Sequence, residues 1–125
     1  MSLKVPSLII FVDGEVVFQS EGKWLHPLFD LEEHLIKHPV DIERATFQDK
    51  VVGKAAALLM IRLGASNVHG VLMSQLAIHT FEGFCVRYSF DQTVDQIQCQ
   101  TESILDNIND PDEAYQILCK RAQRC

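Results

Sequence analysis

Two lysines four residues apart, Lys50 and Lys54, flank a glycine, Gly53, in the most apolar part of the chain. Read as the start of a helix over residues 50–63, both lysines share one face. A glycine inside a helix costs about 1 kcal/mol relative to alanine, so Gly53 needs a reason. One reason is clearance for a ligand, with Lys54 meeting an anionic group near the positive helix end. The plainer alternative is that Lys54 snorkels to water and Gly53 eases helix packing. Ser74, at the start of the next expected helix, can donate or accept a hydrogen bond to the same ligand. Cys99 precedes Glu102 just before a helix start expected near Thr101, where a thiol can gain nucleophilic character. Cys99, Glu102 and Lys54 then form a candidate catalytic set; otherwise Cys99 is a half-buried thiol and Glu102 merely favours the helix start.

Other chemistry is poorly supported. His34 and His38 stand four apart beside Glu33, but two histidines do not make a metal site, and Pro39 distorts the last turn carrying His38. They read as solvated helix-face residues, and His69 and His79 as ordinary fold residues. There is no Cys-x-x-Cys, phosphate loop, dinucleotide fingerprint or serine nucleophile elbow. The acidic run Asp106, Asp110, Asp112 and Glu113 lacks the alternating ligands and central glycine of a calcium loop. No metal and no cofactor are expected.

The elements that must position these residues alternate between strand and helix. Leu8–Val12 and Glu15–Gln19 read as strands joined by Asp13-Gly14, a strong hairpin signal because a type I′ turn needs positive φ at both central positions. A helix follows from Pro27 to about Lys37, with Leu28, Phe29, Leu31, Leu35 and Ile36 as its apolar stripe. The next helix, about Lys50 to Leu63, takes Asp49 as N-cap and Gly64 as terminator. It is apolar around nearly its whole circumference and must be buried on all sides. Val68–Met73 reads as an interior strand, and Ser74 caps a helix running to Glu82 and ended by Gly83. Cys85–Phe90 alternates as a half-covered strand, with Cys85 in the core and a parallel crossover back to the previous strand. Thr93–Ile97 is an ambiguous last edge strand. Asp110, Pro111 and Glu113 begin a C-terminal helix whose last turn carries Lys120 and Arg121, with Arg124 just beyond; Cys119 and Cys125 belong to it and its tail.

The chain has 125 residues, 47% hydrophobic and 22% charged, which fits one soluble domain over 1–125. Eleven basic against seventeen acidic residues give a net charge of −6, the wrong sign for a nucleic-acid backbone binder. No apolar stretch approaches the roughly 18 residues of a membrane span. Without an export-like N-terminus, four irregularly spaced cysteines fit reduced thiols in a cytoplasm. A homodimer is the assembly that base rates favour for so small a sheet domain.

The run Asp49-Lys50-Val51-Val52-Gly53-Lys54-Ala55-Ala56-Ala57-Leu58-Leu59 resembles a bacterial family known as domain of unknown function 1893. The Asp13-Gly14 hairpin, His26-Pro27-Leu28, Ser74-x-x-Ala77 and Asp110-Pro111-x-Glu113-Ala114 are similar too, so the resemblance covers nearly the whole chain. It implies a cytidine deaminase-like α/β fold: three layers, with a mixed β-sheet covered by helices on both faces. Zinc enzymes of that fold carry His/Cys-x-Glu on a central helix and Pro-Cys-x-x-Cys at the next helix start. Here the matching regions read Gly53-Lys54-Ala55-Ala56 and Met73-Ser74-Gln75-Leu76-Ala77, which offer neither a ligand set nor a proton-shuttling glutamate. Zinc-dependent deamination is therefore not expected. The family's Cys-Pro-x-Glu appears as Cys99-Gln100-Thr101-Glu102, without the proline.

Three readings follow. The first is a zinc-free protein binding a small anionic or nucleotide-like ligand through Lys50, Gly53, Lys54 and Ser74. The second is a non-enzymatic interaction or accessory protein, for which the net negative charge suits a basic partner. The third is a thiol carrier built on Cys99, assisted by Glu102 or Lys54.

Overall fold

The computed structural model describes residues 6–97 and 104–124. It is a mixed α/β structure with five strands in one sheet: β1 (Leu8–Val12), β2 (Glu15–Ser20), β3 (Ala45–Val52), β4 (Asn67–Ser74) and β5 (Arg87–Val94). Its order is β2-β1-β3-β4-β5, with β1 antiparallel to both neighbours and β3, β4 and β5 parallel to one another. The described helices are α1 (His26–Lys37), α2 (Lys54–Arg62), α3 (Gln75–Gly83) and α4 (Pro111–Arg121), besides one 3-10 turn at Ile42–Arg44. None is long and apolar enough to cross a membrane.

Local chemistry explains most boundaries. Asp13 and Gly14 have φ of 53° and 83°, the two positive values that the tight β1–β2 turn requires. Ser74 Oγ accepts the N–H of Ala77 at 3.0 Å to start α3, and Asp110 accepts the N–H of Asp112 at 3.0 Å to start α4. Gly64, at φ 97°, ends α2.

Three expectations change. Residues 50–52 belong to β3, a strand the sequence reading lacked, and α2 begins only at Lys54. The β-branched pair Val51-Val52 continues the strand, and Gly53 breaks it in an extended conformation as N-cap. Lys50 and Lys54 are therefore not one helical turn apart, and Asp49 caps nothing. Next, β5 runs from Arg87 to Val94, absorbing Thr93 and Val94 and leaving no separate edge strand at 93–97. Finally, Cys85 is exposed at φ 58° in the α3–β5 turn rather than in the core.

Cross-strand register sorts the sheet into two unlike faces. Leu8, Ile10, Phe47 and Val68 share one face and are fully buried. On that face the Phe18 ring meets His34 of α1 at a tilt, with centres 5.1 Å apart, and Tyr88 stacks on Phe81 of α3. Between α1 and α3 lies α2, in contact with both, and α4 covers it: Phe29 of α1 meets Tyr115 of α4 with ring centres 5.9 Å apart. The opposite face, carrying Ile9, Phe11, Thr46, Gln48, His69 and Ser89, stays partly or wholly exposed. The expectation of helices on both faces is thus not met among the described residues. All four helices lie on the Leu8–Phe47 side.

From Lys54 to Met60 every residue of α2 is buried, as its all-round apolarity implied. Replacing Leu58, which is 0% exposed, with alanine should cost about 2–5 kcal/mol. Ile36→Ala, at a side chain 75% exposed, should change stability by no more than about 0.5 kcal/mol. Urea unfolding of the two variants checks both values.

Candidate functional site

Where β3 gives way to α2, the inner-face alternation of the sheet breaks: Lys50 and Val51 are both exposed, and Val52 turns back into the core. Gly53 then redirects the chain and its carbonyl accepts the N–H of Ala57 at 3.0 Å. This switch leaves a cleft of about 340 Å³ beside the C-terminal end of β3. Asp49, Lys50, Gly53, Ala55 and Ala56 form one wall, and Ser7, Lys23, Trp24, Leu25 and Ile97 the other. The first N–H groups of a helix have no intrahelical acceptor, so the α2 N-terminus brings positive potential to the cleft.

The loop over the cleft is tied down. Ser7 Oγ lies 3.0 Å from the carbonyl of Ser20 and 2.8 Å from that of Gly22, and the Ser20 hydroxyl accepts the N–H of Gly22 at 3.1 Å. Trp24 sits at φ 57°, a left-handed conformation that is costly for a bulky side chain, and remains 44% exposed. Its ring meets His26 edge-on at 5.5 Å. His26 in turn faces Arg124, which is ion-paired with Asp30 at 2.7 Å. A strained, half-exposed tryptophan is thereby held at the mouth of the cleft.

Asp49 is the electrostatically unusual group. It lies on the inner face of the sheet between Leu8 of β1 and Gly70 of β4. Burial raises its pKa from 3.8 to about 7, against the opposing pull of the Val51 and Lys50 backbone N–H groups. Such a carboxyl can accept or donate a proton near neutrality.

Of the residues singled out in the sequence, Lys50 and Gly53 line this cleft. Lys54 does not: it is 5% exposed, and its ammonium donates to the carbonyl of Leu105 at 2.6 Å and lies 3.4 Å from that of Asp106. Ser74 is fully buried at the start of α3 and is absent from the cleft wall. Cys99 and Glu102 lie outside the described residues. The rings of His34 and His38 are 4.9 Å apart, and no group of three metal-ligating side chains occurs among the described residues. Asp49, Lys23 and Trp24 were not recognised in the sequence. The sequence reading makes Asp49 a helix cap, and the one signal for Trp24 is a lone tryptophan between Gly22 and Pro27.

A larger, polar hollow of about 600 Å³ opens at the other end of the parallel strands, beside Arg44, Thr46, Ser66, Asn67 and Arg87. Arg44 is engaged by Asp13, and the lining of that hollow holds no aromatic side chain, so the Asp49 cleft is the better site.

A family described as a domain of unknown function (DUF1893) matches residues 3–121. A solved structure, the DUF1893 family protein TM1506 from Thermotoga maritima, is similar with a TM-score of 0.81 at 24% identity, over 93% of this chain and 80% of that one. No curated protein matches the chain.

The raised pKa of Asp49 has a defined consequence for stability. Its carboxyl holds a proton more tightly when folded, so its contribution is full below about pH 4 and is lost as pH rises through about 7. Asp49→Asn should flatten the pH dependence of Tm between those values and raise Tm by a few degrees above pH 7. Thermal unfolding of both proteins across that range measures it, and parallel curves would contradict the assignment.

Proposed function

This chain belongs to the DUF1893 family, and we propose that it binds a small anionic or nucleotide-like ligand in the Asp49 cleft. The observation that carries this reading is one titratable carboxyl, raised to about pKa 7, in an apolar-walled cleft roofed by a half-exposed tryptophan. Trp24 offers a planar face for a heterocycle, since base–aromatic stacking contributes about 1–3 kcal/mol. Asp49 suits the mixed donor and acceptor edge of such a ring, because it is readily either protonated or ionised near neutrality. Lys23, Lys50 and the α2 N-terminus supply positive charge for an anionic substituent. Gly53 gives the backbone clearance there.

A cytidine deaminase-like ancestry is part of the same reading, supported by a five-stranded sheet in which β1 alone runs against the rest. Its two zinc-motif regions provide no ligand set in this sequence, so no zinc-hydroxide step is derived. A reducing, cytoplasmic setting also belongs to the proposal; Cys85 and Cys119 are free thiols. The Cys99–Glu102–Lys54 thiol-carrier reading has one observation in its favour: Lys54 is anchored at Leu105, just beyond the segment carrying Cys99 and Glu102.

The test is a thermal-shift screen against nucleosides, nucleotides, other phosphate-bearing metabolites and inorganic phosphate alone. A ligand at 100 times its Kd should stabilise the protein by about 2.7 kcal/mol, a shift of several degrees. That shift should vanish in folded Trp24→Ala and Asp49→Asn variants. A flat response to the whole panel, or a shift that both variants retain, refutes this reading.

A further inference from the structure

The two edges of the sheet are not alike. At one edge β2 carries an extra residue against β1, where the register slips between Ile10 and Phe11, and such a bulge discourages pairing with another chain. At the other edge β5 is eight residues long, pairs regularly with β4 from Arg87 to Phe90, and contains neither proline nor lysine. Nearly all of it is exposed, including Phe90 at 39% and Val94 at 37%, and Val71 beside it on β4 is 43% exposed.

We propose that β5 pairs antiparallel with β5 of a second copy of this chain, joining two sheets into one across a two-fold axis at Ser89. The occupant is chosen by backbone direction and by charge. The N–H of Arg87 points inward, to the carbonyl of Ser66 at 3.0 Å. Strand alternation then directs the backbone groups of Tyr88 and Phe90 outward, to the edge that no described strand covers. Centring the two-fold on Ser89 places Tyr88 opposite the partner's Phe90, so that these outward groups exchange hydrogen bonds. The same register places Arg87 opposite the partner's Asp91 in the closely spaced, non-hydrogen-bonded position.

Arg87 is exposed and has no ion pair among the described residues. Asp91 is 61% exposed and oriented from behind by His69, whose Nε2 lies 3.3 Å from it while Nδ1 lies 2.7 Å from Ser89 Oγ. Sliding the register by four in the sum of paired numbers would instead set Asp91 against Asp91, a repulsive cross-strand pair. Charge complementarity therefore selects the Ser89-centred register, with two Arg87–Asp91 pairs on the open face and two Tyr88–Phe90 pairs on the helix-covered face.

Sedimentation over a wide concentration range tests the idea. Wild-type protein should form a dimer, and Arg87→Glu or Asp91→Arg alone should weaken it at least about tenfold, because each juxtaposes like charges. Circular dichroism and Tm establish that both variants fold. Mixing the two single variants should restore a dimer, since each interface contact then pairs opposite charges; a self-associating misfolded variant would not show this rescue. A monomer at all concentrations, a dimer indifferent to either reversal, or no rescue on mixing would overturn the proposal.

Discussion

A nine-residue helix without a solvent face sets the terms for the rest of this structure. Because α2 is buried from Lys54 to Met60, the chain must provide apolar surface around it on every side. The sheet's inner face, α1, α3 and α4 meet that demand. Alanines at 55, 56 and 57 let neighbouring elements approach closely. Among the described residues nothing comparable packs on the other sheet face, which carries Thr46, Gln48, His69 and Ser89. One-sided covering is thus a consequence of gathering the other three described helices around a single enclosed segment.

The same segment explains why the unusual electrostatics lie where they do. A strand that enters a buried helix through one residue cannot keep its alternation to the end, and the break exposes Lys50 and Val51 while leaving Asp49 on the inner face. The carboxyl is partly desolvated because Leu8 and Gly70 flank it, yet it borders a cleft instead of being sealed. Lys54 was excluded from that cleft by the helix it opens. Its ammonium is directed toward Leu105, where it joins the start of α2 to the chain leading into α4.

Much of the fold was legible because its signals are local. Asp13-Gly14 specifies its turn through backbone sterics alone, and Asp110-Pro111 announces α4 through its cap. The enclosure of α2 follows from its apolar circumference. The misleading feature is a junction at which local preferences run together: the apolar stretch from Val51 to Ile61, interrupted only by Gly53 and Lys54, suits strand and helix alike. That error hid β3, turned Asp49 into a cap and placed Lys50 on the wrong element. Cys85 looked internal because it adjoins an alternating strand, whereas its positive φ puts it in a turn. The candidate site was half legible, since residue type marks Lys50 and Gly53, whereas the spacing argument for Lys50 rested on a helix that begins only at Lys54. Asp49 and Trp24 acquire their character only when distant segments meet.

The covering of α2 by α4 also bears on how the chain emerges from a ribosome. The sheet strands and three helices are made before residues 111–121, so the flank of α2 that Ala114 and Leu118 help to cover is completed last. Until then a nascent chain presents a greasy surface on its most apolar helix, and such exposed surface favours misassembly. The strong start signals at Asp110 and Pro111 make the closing helix easy to form as soon as it is released, which shortens that interval of vulnerability.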